Sequence, residues 1–361
     1  MKASRLLPLL VLAACAPSRG RAYDRAYAAA ARAESAGRLA EAAAAFDRAA
    51  TEATRPRDRE AAKWAAADVL ARSGDVAGAE TRLDAMAADA GSDHQAEATY
   101  RAALLRVENG DADRGWREME QVPRRFPNHG VSHVAIRRLV AHADEAGTDA
   151  GLAEIEALDR DVGKTELVEL VTYLRVQHVE AQGHHAAARD AYLRIADRWP
   201  YPYGAFFDDA LWEASVLDEK LGDTRAAAAD LERLVAVRET TTLLGSYERA
   251  RYVPAMLRLG ALYRDALHDH PKARETFHRL YTDYRHSTKR DAALWEEAAV
   301  WRADGDAKTA CARLSTLVSE FPDSRYVPCA TAGCPGLERP AKSGAPAECR
   351  DYITRGEATG G

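Results

Sequence analysis

Glycine recurs along this chain at a nearly fixed period. Gly37, Gly74, Gly110, Gly183, Gly222 and Gly305 mark it, with adjacent spacings of 36 to 39 residues where the series is unbroken. Gly147 lies near the midpoint of the 73-residue interval between Gly110 and Gly183, and Gly260 falls inside the interval that ends at Gly305. Glycine suits a turn between two helices, where the backbone enters positive φ. After the marker, a small or apolar residue follows at +5, large apolar residues at +9 and +12, and in the best cases proline at +17. Gly37 is followed by Ala42, Phe46 and Ala49; Gly183 by Ala188, Tyr192, Ile195 and Pro200; Gly305 by Ala310, Leu314, Leu317 and Pro322. The small residue lets a second helix lie close to the first, the pair at +9 and +12 shares one helix face, and proline stops the helix. A unit of this size cannot bury its apolar face alone, so the period confines the chain to stacked units.

Composition agrees with that restriction. The 361 residues exceed what one hydrophobic core usually serves. Apolar residues make up 47% and charged residues 29%, so the chain folds rather than remaining disordered. Alanine is abundant and β-branched and aromatic residues are sparse, which favours helix over sheet. The 50 basic and 56 acidic side chains leave a net charge of −6, evenly mixed, which speaks against a nucleic-acid partner.

The pattern resembles the tetratricopeptide repeat, a helix A, glycine turn and helix B hairpin of about 34 residues. Leu259-Gly260 with Tyr263 fits the close-packed glycine of helix A, and Ala273, Phe277 and Leu280 continue that unit after a lengthened turn. The resemblance covers residues 22–327 and implies an all-α, right-handed superhelical solenoid. About seven hairpins are complete, and a worn repeat occupies about 130 to 163. Several helix-B ends carry an aromatic residue with proline or serine: Arg125-Phe126-Pro127, Arg198-Trp199-Pro200, Asp283-Tyr284 with Ser287, and Phe321-Pro322-Asp323-Ser324. With the alanine-rich helix that follows at Asp291-Ala292-Ala293-Leu294-Trp295, these ends are similar to repeats of outer-membrane assembly lipoproteins and of periplasmic partners of the Tol-Pal system.

The amino terminus reads as an export signal. Lys2 and Arg5 form a basic start, Leu6 to Leu12 a short apolar core, and Ala13-Ala14 a small-residue cleavage site. The core is too short to span a bilayer. Leu12-Ala13-Ala14-Cys15 resembles the lipobox of bacterial lipoproteins, in which the Cys15 thiol takes the lipid and becomes the first mature residue. The expected organisation is a signal peptide at 1–14, a lipidated linker at 15–21, the array at 22–327 and a tail at 328–361. Ala16 after the cysteine, in place of an acidic residue, implies the periplasmic face of the outer membrane. The rest of the chain has no run of 18 apolar residues, so it is anchored rather than spanning.

The tail is dense in Gly, Pro and small polar residues, as in a capping loop. Cys311, Cys329, Cys334 and Cys349 give an even number of thiols in a chain expected to reach an oxidising compartment, and two disulfides are expected. Three pairings are open; Cys311 with Cys329 or Cys334 would pin the tail to the last hairpin. A tetrahedral zinc site is the competing reading, against which stands the absence of two Cys-x-x-Cys knuckles.

Histidines at His184, His185, His268, His270 and His278 invite a metal reading, yet most lie in hairpin turns, where solvated polar residues are common. There is no HExxH, GxSxG or phosphate loop, and no segment outside the repeats is long enough for a catalytic domain. The expectation is a non-enzyme with no cofactor, no metal and no small-molecule substrate. Ten residues before the turn glycines stand Tyr27, Trp64, Tyr100, Tyr173, Trp212 and Trp295. The resemblance implies that this position faces the concave groove, where aromatic groups suit a partner segment. Packing between adjacent hairpins accounts for the rings equally well. Three residues before the glycines stand Glu34, Glu180, Glu219 and Arg302, which supply either polar groove contacts or solvated helix ends.

These readings imply a lipid-anchored scaffold that binds protein partners in envelope biogenesis, either outer-membrane protein assembly or coordination of envelope and division. The alternatives are a carbohydrate-associated accessory of peptidoglycan remodelling and an assembly factor of a secretion, motility or polysaccharide-export complex.

Overall fold

The structure, a computed structural model, describes residues 19–145, 147–237 and 250–354. The signal peptide and Cys15 lie outside the described residues. Among those residues all regular structure is helical, and no helix is long and apolar enough to cross a membrane. The chain divides into two compact units, Met1–Val171 and Thr172–Gly361.

The first unit pairs α1 (Arg21–Ser35) with α2 (Leu39–Glu52), α3 (Pro56–Ser73) with α4 (Val76–Ala88), α5 (Gln95–Glu108) with α6 (Ala112–Arg125), and α7 (Gly130–Glu145) with α8 (Thr148–Val162). Each hairpin also packs on the next. Helix α9 (Val168–Ala181) crosses the boundary. The second unit continues with α10 (His185–Arg198), α11 (Phe207–Lys220) and α12 (Thr224–Ala236). Then come α13 (Tyr252–Ala261), extended by a π-helical turn at Leu262–Ala266, α14 (His270–Asp283), α15 (Arg290–Ala303), α16 (Ala307–Glu320), α17 (Val327–Gly333) and α18 (Asp351–Thr354). The architecture is an all-α array of helix hairpins.

The turn explains the glycine period. Gly74 has φ 85°, and the Asp75 N–H donates to the Leu70 carbonyl at 3.0 Å; Gly222 has φ 86°, and the Asp223 N–H donates to the Asp218 carbonyl at 2.8 Å. A left-handed residue after the helix closes these carbonyls, and a Cβ there would meet no neighbour, so the demand for glycine is conformational. In four hairpins the residue after the left-handed position caps helix B: the carboxylates of Asp75, Asp223, Asp269 and Asp306 accept from the N–H groups of Gly78, Ala226, Lys272 and Thr309. Such a cap contributes about 1 kcal/mol.

The +5 column is the closest point between the paired helices. Ala42, Ala79, Ala188, Ala227, Ala273 and Ala310 are all at most 1% exposed. At Gly115 a Cβ would come within 2.7 Å of the Ala103 carbonyl oxygen, so only glycine fits. Phe46, Leu83, Met119, Tyr192, Leu231, Phe277 and Leu314 fill the +9 column and Ala49, Met86, Val122, Ile195, Leu234, Leu280 and Leu317 the +12 column, all buried.

Two hairpins depart from the pattern for physical reasons. Gly147, φ 96°, is itself the N-cap of α8, whereas the other turns place one residue between glycine and helix. Every buried position therefore falls one residue early: Gly151, Ile155 and Leu158 take the places of +5, +9 and +12. In the α13–α14 hairpin, His268 at φ 54° holds the left-handed position, and the π-helical turn supplies the added length before it. Ala273 then falls at +5 from His268 as usual.

Two disulfides, Cys311–Cys334 and Cys329–Cys349, with Cα separations of 5.6 and 4.6 Å, fasten the tail. They engage all four thiols, which replaces the zinc reading, and the pairs alternate along the chain. The cysteines join Trp295, Leu314, Tyr326, Val327, Ala345 and Ile353 in one apolar cluster. The Gly344 N–H donates to Asp323 at 2.5 Å and the Ser343 hydroxyl to the Pro322 carbonyl, so the tail also hydrogen-bonds back onto the end of α16. Bridges closing loops of this size contribute roughly 3 kcal/mol each.

Candidate partner-binding surface

Helix-A positions carry the ring series, and the structure gives most of these rings a neighbour in the following hairpin. Trp64 lies 5.6 Å from His94, Tyr173 stacks on Phe206 at 4.5 Å, Arg251 sits 5.2 Å from Trp212, and Trp295 stacks on Tyr326 at 5.3 Å. His94, Phe206, Arg251 and Tyr326 are the N-cap residues of α5, α11, α13 and α17. In these four cases the ring thus meets the N-cap residue of the helix that opens the next hairpin. Ring stacking and cation–π contact of this kind add about 0.5–1.5 kcal/mol beyond burial. Tyr27 instead packs edge-on against Phe46 at 5.1 Å, and Tyr100 packs on the cluster that contains Met119, Val122 and Ala135.

Exposure divides the series. Tyr173 and Trp295 are buried, while Tyr27, Trp64, Tyr100 and Trp212 are half-buried and keep surface open. Trp212 is approached by a second guanidinium, Arg258, at 5.0 Å. The charged positions three before the turn are engaged as well. Glu34 pairs with Arg72, Glu219 with Arg258 at 2.5 Å, Glu180 accepts from the Tyr192 hydroxyl at 2.8 Å, and Arg302 lies 5.8 Å from Trp295. Around Trp212, Arg251 reaches Asp209 at 2.7 Å and Glu213 at 3.2 Å, while burial pushes the Glu213 carboxyl up, partly offset by Arg251. Burial beside Asp209 likewise raises the Tyr173 phenol.

Buried charges tie helix A to flanking B helices in three places that sequence reading did not single out. Arg106 on α5, 2% exposed, pairs with Asp84 on α4 at 2.5 Å, with Glu118 on α6, and with Glu80 at 3.5 Å. Asp218 on α11, also buried, pairs with Arg189 on α10 and faces Asp230 on α12. Burial, then hydrogen bonding to Asp218, pushes the Asp230 carboxyl up to about 7. Glu297 on α15 takes Arg313 at 2.8 Å and His278 at 3.2 Å. The sequence signal was a charged residue on the apolar face of a helix.

The histidines behave similarly. His270 begins α14 and bonds to Asp304, whose carboxyl it holds below the usual range, so it is an anchoring residue rather than a solvated one. Among the described residues no group of three or more His, Cys, Asp or Glu side chains is arranged to hold a metal. A cleft of about 210 Å³ lies among α6, α7 and α8, where Trp116 stacks flat on His142 at 4.0 Å above Leu139, Ile155 and Leu158. It lies beside the hairpin whose register is shifted.

Residues 254–287 match the tetratricopeptide repeat family. The matched stretch covers most of the α13–α14 hairpin, where Gly260 packs on Phe277. No curated protein matches the chain. Among solved structures, the chain is similar to one from the functional characterisation of pilF of Pseudomonas aeruginosa, at 13% identity and a TM-score of 0.37, covering 64% of this chain and 94% of that one. It is similar to a signal transduction ATPase with a tetratricopeptide repeat sensor from Pyrococcus horikoshii, at 15% identity and a TM-score of 0.44, over 83% of this chain and 47% of that one. A third likeness is to the C-terminal part of a repeat-containing protein of Cytophaga hutchinsonii, at 13% identity and a TM-score of 0.37, over 79% and 98%. The class that the fold defines is a helix-hairpin array, one of whose hairpins matches the tetratricopeptide repeat family.

Proposed function

We propose that the chain is a non-enzymatic scaffold, tethered by a lipid on Cys15 to the periplasmic face of the outer membrane, that holds protein partners during envelope biogenesis. The observation that carries the reading is the set of half-buried rings Tyr27, Trp64 and Tyr100 at one equivalent position on α1, α3 and α5, with Trp212 at the same position on α11 of the second unit. Each presents apolar area with a polar edge, already immobilised by its neighbours, which lowers the entropic cost of gripping a partner segment. The lipobox-like Leu12-Ala13-Ala14-Cys15 supports the tether, and the disulfides suit an oxidising compartment.

The test is affinity capture of the tagged chain from detergent-solubilised envelopes, alongside a Trp64→Ala/Tyr100→Ala variant. Loss of specific envelope proteins from the variant, with far-UV helix content retained, is the expected outcome. Retention of muropeptides without protein partners would replace the scaffold by the wall-associated reading.

A further inference from the structure

We infer that the edge formed by the starts of α1 and α3 is a contact surface for the anionic phospholipid headgroups of the membrane that holds the lipid; the inference rests on the anchoring reading of Cys15. The two helix starts are adjacent: Arg19 reaches Asp58 at 3.3 Å, and a Cβ on Gly20 would lie 3.7 Å from Thr54. Arg19, Arg21, Arg25, Arg55, Arg57 and Arg59 gather there, in a chain whose net charge is −6.

Part of the acidic compensation is internal. Asp58 is 4% exposed and takes both Arg19 and Arg55, the latter through two hydrogen bonds, while Arg59 bonds only to the Ala53 carbonyl at 3.2 Å. Arg21, Arg25 and Arg57 are exposed and have no ion-pair partner among the described residues; the exposed acids nearby are Asp24 and Glu52. At the start of the next helix A, the exposed Asp89 and Asp93 reverse the sign, so the basic edge does not continue onto the third hairpin.

Chain length fixes the distance. Four residue steps separate Cys15 from Arg19, a reach of at most about 14 Å. A lipid on Cys15 therefore keeps this edge within one or two screening lengths of the headgroups, where each cation gains affinity for an anionic leaflet. The contact would orient the first hairpins on the bilayer, a role the lipid alone does not perform.

The test uses the full chain with Cys15→Ser, so that no acyl group contributes and the leader is common to every variant. Parent, Arg21→Glu/Arg25→Glu/Arg57→Glu, and a charge-matched Arg32→Glu/Arg137→Glu/Arg138→Glu control are mixed with phosphatidylglycerol and phosphatidylcholine vesicles in about 0.1 M salt. The edge variant should bind phosphatidylglycerol vesicles at least about tenfold more weakly than the parent, with the control within about threefold and phosphatidylcholine binding unchanged. Equal behaviour of the two triple variants would overturn the inference, as would full competition by inorganic phosphate at matched ionic strength. Palmitate labelling of the unmodified chain tests the anchor separately, since it reads Cys15 and not the arginines.

Discussion

Gly260 occupies a place where a side chain has no room. A Cβ there would lie 2.5 Å from two atoms of the Phe277 ring, and Phe277 is itself fully packed. This differs from Gly74 and Gly222, where space is open and only the backbone angle matters. Gly260→Ala forces the ring or the helix to shift and should lower stability by about 1–3 kcal/mol, despite alanine's better helix propensity. Urea unfolding of the variant beside the parent measures it; an unchanged midpoint would mean that Phe277 moves aside freely. The position was legible in the sequence because glycine costs helix stability, so one inside an apolar helix pattern marks a close approach by a neighbouring element. His268 was harder to recognise, since a histidine rarely takes the left-handed angle and nothing in its neighbours announced it.

Between elements, the buried charges decide which helices are fastened to which. Asp218 links α11 to α10 through Arg189, and Asp230 on α12 faces the same carboxylate, with Arg233 nearby. Because the Asp230 carboxyl titrates near 7 when folded, above its ordinary value, the folded pair retains a proton that the unfolded chain releases. Its stabilisation is fully present below about pH 4 and is lost as the pH rises through about 7. Asp230→Asn should flatten this part of the stability profile, read as thermal midpoints across that range. A parent profile already flat there would dismiss the shared proton. The hairpin pattern was legible because it is local: glycine, small residue and apolar pair all lie within one turn and one helix. The charge ties were not, since Arg106 and Asp218 find their partners on helices before and after their own. The α8 register escaped for a third reason, as one residue fewer in the turn displaces every later position of a fixed template.

At the scale of the whole molecule, the last hairpin is closed by covalent bonds as well as by packing. Replacing one cysteine pair, for example Cys329→Ser/Cys349→Ser, should cost roughly 3 kcal/mol yet leave the tail held by the other bridge. Thermal melts with and without reductant check this; an unchanged melt on full reduction would make the bridges incidental. The even cysteine count was readable from sequence, whereas the pairing depended on how α16, α17 and the tail meet in space. Alternation of the pairs places every peptide bond from Cys311 to Cys349 inside at least one closed ring. A single proteolytic nick anywhere in that stretch leaves both fragments joined, so a clipped molecule would migrate as intact until its sulfurs are reduced.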